Sequence, residues 1–141
     1  MTAQVLAALQ ARAYEDMIPW SEEDFTDLLA QPSVRLFQDE HAFLLARFVA
    51  DEAEILTLAT EPAHRRQGRA ARLIASLHRA AAQAGVATCF LEVAASNFAA
   101  QAAYAAAGYT VAGRRKAYYL QPDGTRQDAL VMSRAVSAKE S

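Results

Sequence analysis

The sequence predicts an α/β domain with a parallel strand–helix–strand unit at its centre. Three observations carry that reading. Short β-prone runs alternate with helix-spaced runs in the order α-α-β-β-β-α-β-α-β-β. Residues 54–93 place a long helical segment between two apolar strands, and such a crossover is right-handed with its strands parallel. The turn into that helix is rich in arginine, and ligands of open α/β sheets bind at the carboxyl ends of parallel strands.

Taken in order, Thr2 caps a first helix reaching about Tyr14, with Val5, Leu6 and Leu9 on one side. Pro19-Trp20-Ser21 breaks it. Ser21 with Asp24 has the spacing of a capping pair for a second helix over residues 22–31, apolar at Phe25, Leu28 and Leu29. Residues 34–38 and 42–50 read as strands around an Asp39-Glu40-His41 turn. Residues 54–60 form the next strand, entered from Asp51-Glu52. Pro62 ends it because proline offers no N–H to a ladder. The long helix repeats Leu73, Leu77 and Ala81 at i, i+4 and ends near Ala84, with Gly85 just beyond. Residues 86–93 are a buried strand, and Asn97 opens an alanine-rich helix that stops at Gly108. Residues 109–119 and 127–134 form a closing hairpin turned by Pro122-Asp123-Gly124.

Length and composition narrow the function classes. A chain of 141 residues, 53% hydrophobic and 21% charged, suits one core. The domain is expected over residues 1–136, with 137–141 a frayed tail. A net charge of −2 gives no global pull toward nucleic acid, so the arginines are a local feature. No apolar run is long enough for a membrane span, and no basic n-region marks a signal peptide. A cytoplasmic protein is the default expectation. A single cysteine, Cys89, forbids an internal disulfide, and His41, His64 and His78 lack ligand spacing, so no metal site is expected.

The chemistry concentrates at residues 61–73. Gly68 accommodates φ > 0 or a close approach of backbone to ligand. The helix that follows offers unpaired N–H groups and the positive end of its dipole. Arg65, Arg66, Arg69 and Arg72 surround the same point. These features point to a phosphate or pyrophosphate site, against the plain alternative of a basic helix start. Neither Gly-x-x-x-x-Gly-Lys-Ser/Thr nor Gly-x-Gly-x-x-Gly is present. Glu92 is a carboxylate in the otherwise apolar strand Phe90-Leu91-Glu92-Val93, costly there unless paired with an arginine or functional as a base. Asn97 and Tyr104 lie two helical turns apart on one side. Asn97 can simply cap its helix and Tyr104 can simply anchor the core. Aligned beside Glu92, the phenol is a candidate general acid, protonated at neutral pH. Cys89 falls on the opposite face from Glu92, as a buried thiol. Glu15, Asp16, Glu22, Glu23 and Asp24 form an acidic face, either merely solvated or attractive to a cationic peptide.

Arg65-Arg66-Gln67-Gly68-Arg69-Ala70 reads Arg-x-x-Gly-x-Ala and resembles the pyrophosphate loop of the GNAT acyl-CoA N-acyltransferases. Leu91 to Asn97, Ala103-Tyr104 and Ala107-Gly108-Tyr109 resemble the second half of that fold. With Pro19-Trp20-Ser21, Thr57 to Thr60, Tyr118-Tyr119 and Gln127-Asp128-Ala129 in sequence, the chain is similar to the ribosomal-protein-alanine N-acetyltransferases over nearly its whole length. The resemblance implies a GNAT fold with a mixed, mostly antiparallel sheet, and acetyl-CoA as co-substrate. It implies Glu92 as general base and Tyr104 as general acid. Leu58, Ala59 and Thr60 would hold the acetyl and pantetheine arms, and Arg66, Gln67, Gly68, Arg69, Ala70 and Ala71 the pyrophosphate. Asn97 would touch the coenzyme, and Trp20, Tyr118 and Tyr119 would shape the acceptor groove. The acceptor would be a protein N-terminus, with alanine first, as in a small-subunit ribosomal protein. Two departures stand out. The family opens with a strand before its first helix, whereas this chain begins at the helix, leaving a sheet edge missing or covered by a partner. The loop's second glycine is Ala70, a residue the family pattern tolerates. Rival readings are a GNAT enzyme for lysine side chains or small amines, and a CoA-binding partner subunit without turnover.

Overall fold

The computed structural model describes residues 1–14 and 17–141. Glu15 and Asp16 of the expected acidic face lie outside the described residues. Two helices come first, α1 (Ala3–Ala13) and α2 (Glu22–Leu29), followed by strands β1 (Val34–Gln38), β2 (Ala42–Val49) and β3 (Glu52–Thr60). Then come α3 (Arg69–Gln83), β4 (Thr88–Ala94), α4 (Phe98–Ala106) and the hairpin β5 (Thr110–Leu120) and β6 (Arg126–Ala135). Among the described residues no strand precedes α1. Its cap is Thr2, whose hydroxyl accepts from the Val5 N–H. The expected capping box at Ser21 is formed with Asp24, in both directions. The helix it starts ends at Leu29, two residues before the expected end, because the residue before Pro32 is pushed out of the helical region.

The six strands form one sheet in the order β1-β2-β3-β4-β6-β5. All neighbours are antiparallel except β3 and β4, which run parallel as the crossover required. β3 starts two residues earlier than expected. Val49 pairs directly with Glu52, leaving Ala50-Asp51 as the turn, with Ala50 in the left-handed region at φ 53°. β2 is apolar and buried continuously from Ala42 to Ala46 because both its faces are covered there. Ala42, Leu44 and Ala46 join the core under α3, with Leu73, Ile74, Leu77 and Ala81. Phe43 and Leu45 join the core under α1 and α2, with Leu6, Leu9 and Phe25. Burying a side chain such as Phe25 or Leu77 contributes about 1.5–3 kcal/mol, and these two layers fix the sheet between helix pairs.

The feature that makes room for a site is a break in the central pairing. β3 and β4 are paired only from Glu52↔Thr88 to Ile55↔Leu91. One residue further, the β2–β3 register shifts between Leu45↔Thr57 and Ala46↔Ile55, so Leu56 is an extra residue in β3. Such a bulge bends its strand and raises its twist. β3 therefore leaves β4, and the sheet opens like a wedge at the carboxyl ends of its parallel pair. The tail expected to fray is tied down instead. Ser137 and Glu140 cap a short turn over Ala138–Glu140, and Glu140 pairs with Arg134 at 2.6 Å.

Candidate active site

A cavity fills the wedge. Ile55, Leu56, Thr57 and Leu58 line one wall, and Glu92, Val93 and Ala94 the other. Asn97, Ala100 and Tyr104 of α4 close the back, with Tyr14, Met17, Tyr119 and Gln127 around the rest. The structure thus brings Glu92, Asn97, Tyr104, Tyr119 and Leu58 together from four separate elements.

Glu92 sits on the β4 face away from the α3 core, because Cys89, Leu91 and Val93 alternate into that core. Its Oε1 lies 2.9 Å from Nε of Arg115, an ion pair in which Glu92 is mostly buried and Arg115 half exposed. The backbone carbonyl of Glu92 accepts from the Tyr119 hydroxyl at 3.2 Å. Burial, followed by the Glu92 charge, pushes that phenol up to about 12. Tyr104 belongs to the α3-side core and packs edge-on against Tyr109, with centroids 5.7 Å apart. Burial raises its hydroxyl well above the ordinary phenol value, so it remains protonated throughout the physiological range. Asn97 caps α4 by accepting from the Ala100 N–H at 3.2 Å while also facing the cavity.

The basic turn lies where β3 gives way to α3. Gly68 is the helix cap at φ 74°, and Arg66 is also left-handed at φ 63°. Gly68 has no side chain to cap the helix. Because the first helical bond runs from Arg72 N to Gly68 O, the N–H groups of Arg69, Ala70 and Ala71 face outward. Successive outward N–H groups beside left-handed residues make an anion-binding concavity. Arg72 reaches back to the Gln67 carbonyl at 2.9 Å, and Arg69 pairs with Asp39 at 3.1 Å. Those contacts hold the turn in shape. The residues present fit a pyrophosphate on an observation of this chain: a Cβ on Gly68 would meet the Arg72 guanidinium at 3.0 Å in a conformation that side chains rarely adopt.

Some expected site residues are elsewhere. Trp20 does not line the cavity. It packs against Phe25 with ring centroids 5.5 Å apart, which is the plain core role. Its backbone N–H donates to Oε1 of the buried Gln10. Ala59 points into the α1–α2 core, and Thr60 pairs with Ala42 at the end of β3. Leu58, by contrast, lines the cavity, and its carbonyl accepts from the Tyr14 hydroxyl. Tyr118 is half exposed, edge-on to Tyr119, and outside the cavity lining.

Sequence reasoning missed Tyr14, Gln127, Arg115 and the work of Asp128. Gln127 Oε1 accepts from both the N–H and the hydroxyl of Ser96, tying β6 to the β4–α4 turn. Asp128 holds a bulge in β5. Pairing resumes from Arg115↔Ala129 to Tyr119↔Gln127, so Lys116, Ala117 and Tyr118 oppose Asp128 alone. Ala117 is left-handed at φ 49°, and its N–H donates to Oδ1 of Asp128 at 2.9 Å. Arg114 donates to the other oxygen at 2.5 Å. The Ala117 N–H first, then Arg114, keep this carboxyl below the usual carboxylate range. The bulge swings Tyr119 over the cavity and sets Arg115 against Glu92. The sequence signals were the Arg114-Arg115-Lys116 run ahead of two tyrosines and the Gln127-Asp128-Ala129 motif, neither of which reveals the bulge.

The profile of the acetyltransferase (GNAT) family matches residues 6–109. The chain belongs to the GNAT acetyltransferase family. It is 34% identical over 140 residues to the [ribosomal protein bS18]-alanine N-acetyltransferase of Escherichia coli, covering 96% of this chain and 94% of that protein. The Haemophilus ducreyi protein of the same name is 33% identical over 121 residues, 83% of each chain. The crystal structure of the Escherichia coli enzyme superposes with a TM-score of 0.84, covering 96% of this chain and 88% of that one. Arabidopsis thaliana NAA60, solved with a bisubstrate analogue, shares the fold at a TM-score of 0.83 and 17% identity, over 97% and 94% of the two chains. As a GNAT enzyme this chain is an N-acetyltransferase that takes acetyl-CoA as co-substrate. Among the described residues no group of three metal-binding side chains converges, and no helix is long and apolar enough to cross a membrane.

Proposed function

We propose that this GNAT enzyme acetylates the N-terminal α-amine of a cytoplasmic protein whose first residue is alanine, such as a small-subunit ribosomal protein. The observation that carries the reading is the wedge itself. A carboxylate and a buried phenol, Glu92 and Tyr104, face one cavity walled by β3, the strand from which the chain turns into the open N-terminus of α3. Similarity across nearly the whole chain to alanine N-acetyltransferases of a ribosomal protein supports the choice of acceptor.

In this mechanism the Arg66–Ala71 turn binds the pyrophosphate through the outward N–H groups and Arg66. The acetyl-pantetheine arm lies along Leu58, Ala59 and Thr60, with Asn97 beside it, and an N–H of that stretch stabilises the oxyanion. Glu92, through a water, removes the proton of the entering ammonium. The free amine attacks the thioester carbonyl, the new C–N bond forms and the C–S bond breaks. Tyr104 gives its proton to the departing thiolate. An α-amine loses its proton near ~7.7–8.0 and a lysine near ~10.4, so a single mostly buried carboxylate handles the first far more easily. Tyr118 and Tyr119 flank the acceptor entrance.

The test is mass spectrometry with acetyl-CoA and two peptides. One begins with a free alanine in the manner of a small-subunit ribosomal protein. The other has the same sequence, a blocked N-terminus and one free lysine. Rapid acetylation of the first and slow acetylation of the second is the expected result. Equal or faster modification of the blocked peptide would promote the lysine reading, and no turnover on either would promote the non-catalytic one.

A further inference from the structure

We infer that Arg115 is a specificity-determining residue that turns lysine side chains away from Glu92 while admitting α-amines. The inference rests on the proposed acceptor reaction and on the role it gives to Glu92. Its observation is separate from both: the carboxylate already carries a cation of the chain's own, with Arg115 Nε 2.9 Å from Glu92 Oε1.

Arg115 is not an incidental surface partner. The β5 bulge clasped by Asp128 lies immediately after it, and three residues there oppose one on β6. The guanidinium is stacked 5.1 Å from the Tyr118 ring. It reaches Glu92 from outside the residues that line the cavity, so it stands at the rim. Glu92 and Glu54 share this part of the sheet with Arg115, Arg47 lies 3.8 Å from Glu54, and Arg114, Lys116 and Asp128 belong to the same bulge. Three carboxylates therefore stand against three guanidinium groups and a lysine. The rim offers no net negative charge to attract a second cation.

The consequence differs for the two amine classes. At neutral pH an α-amine, with a value of ~7.7–8.0, is neutral in roughly a tenth of encounters and otherwise holds its proton far less tightly than lysine, so the opposition of Arg115 costs it less. A lysine, at ~10.4, arrives as an ammonium in nearly every encounter. It then meets a fixed guanidinium at a carboxylate whose charge is already answered. Arginine remains charged at any usable pH, so the barrier does not titrate away.

The experiment compares wild type, Arg115→Gln and Arg115→Lys. It uses acetyl-CoA with the free-alanine peptide and with the blocked peptide bearing one lysine. The readout is the ratio of kcat/KM for the two peptides, which cancels any common loss of turnover. In Arg115→Gln the preference for alanine is expected to narrow by about fivefold, the change that ~1 kcal/mol of charge repulsion at an exposed site produces. Arg115→Lys keeps the charge and is expected to keep the preference. Thermal melts and acetyl-CoA calorimetry verify that each variant is folded and loaded. An intact wild-type preference with an unchanged ratio in Arg115→Gln overturns this inference alone. A wild type that shows no preference overturns it together with the acceptor reading, because there is then no discrimination for Arg115 to provide.

Discussion

Glu92 and Tyr104 divide the proposed chemistry by environment. The carboxylate is on the sheet face away from the α3 core, paired with Arg115, whereas the phenol is enclosed among other tyrosines. Burial of Tyr104 keeps its hydroxyl protonated through the physiological range, so a proton is in place when the thiolate forms beside it. Replacing Glu92 with Gln is expected to reduce kcat by about 10²–10⁴-fold, the usual worth of a positioned proton-transfer group. Raising the pH should restore part of the loss, since the amine then arrives deprotonated. Tyr104→Phe should reduce kcat with acetyl-CoA affinity nearly unchanged. Steady-state kinetics across pH together with calorimetry check both; wild-type turnover in both variants would make the two residues structural.

At the scale of elements, two local distortions shape the site, one at the turn proposed to bind the coenzyme and one at the hairpin proposed to flank the acceptor. The first is the left-handed pair Arg66 and Gly68 at the start of α3. Gly68→Val brings a β-branched side chain to φ 74° and against Arg72. The outward N–H groups then move relative to one another, and losing even one charge-assisted hydrogen bond weakens acetyl-CoA binding by about tenfold or more. Calorimetry on the folded variant measures it. The second is the β5 bulge. Asp128→Ala removes the acceptor of the Ala117 N–H and of Arg114. Tyr119 and Arg115 then lose their placement. The expected outcome is a several-fold rise in acceptor KM with acetyl-CoA affinity preserved, because the coenzyme turn is on a different loop. A fall in acetyl-CoA affinity instead would mean that the hairpin supports the coenzyme side.

For the whole molecule, stability depends on how the α3 layer is joined to the sheet. His78 on α3 is buried, with Nε2 2.9 Å from the Tyr109 hydroxyl. Burial, aided by the Arg134 charge, lowers its pKa from 6.5 to about 4. The unfolded ring takes up a proton near 6.5 and the folded ring only near 4. Between those values the unfolded chain holds the extra proton, so stability falls as pH drops through that window. The total loss is about 3 kcal/mol. His78→Asn should flatten the decline of melting temperature between pH 6.5 and 5, where few carboxylates yet titrate. An unchanged slope would show that other groups set the acid limit.

Much of this protein is decided by local chemistry and is therefore legible along the chain. Thr2, Ser21 and Asn97 cap the helices they precede, since capping needs only a side-chain oxygen and an N–H three residues on. Period and apolar runs fix the element order, and the glycine with its arginines marks the anion site before any fold is known. Glu92 is conspicuous because its neighbours are apolar. The remainder depends on register between distant segments, which no local pattern encodes. The Leu56 bulge that opens the wedge exists only relative to β2, and the Ala117 bulge only relative to Asp128. Tyr14 meets Leu58, and Arg115 meets Glu92, across 44 and 23 residues of chain, respectively, as the numbering gives. Trp20 goes to the core for the same reason: Phe25 and the α1–α2 packing claim it, and nothing in its own neighbourhood of sequence reveals that. The sequence by itself determined the elements, the glycine–arginine turn proposed to hold the coenzyme and the placement of the proposed base on an apolar strand. Tertiary structure decided which groups surround that base, because side chains from four elements converge only after the sheet has twisted open.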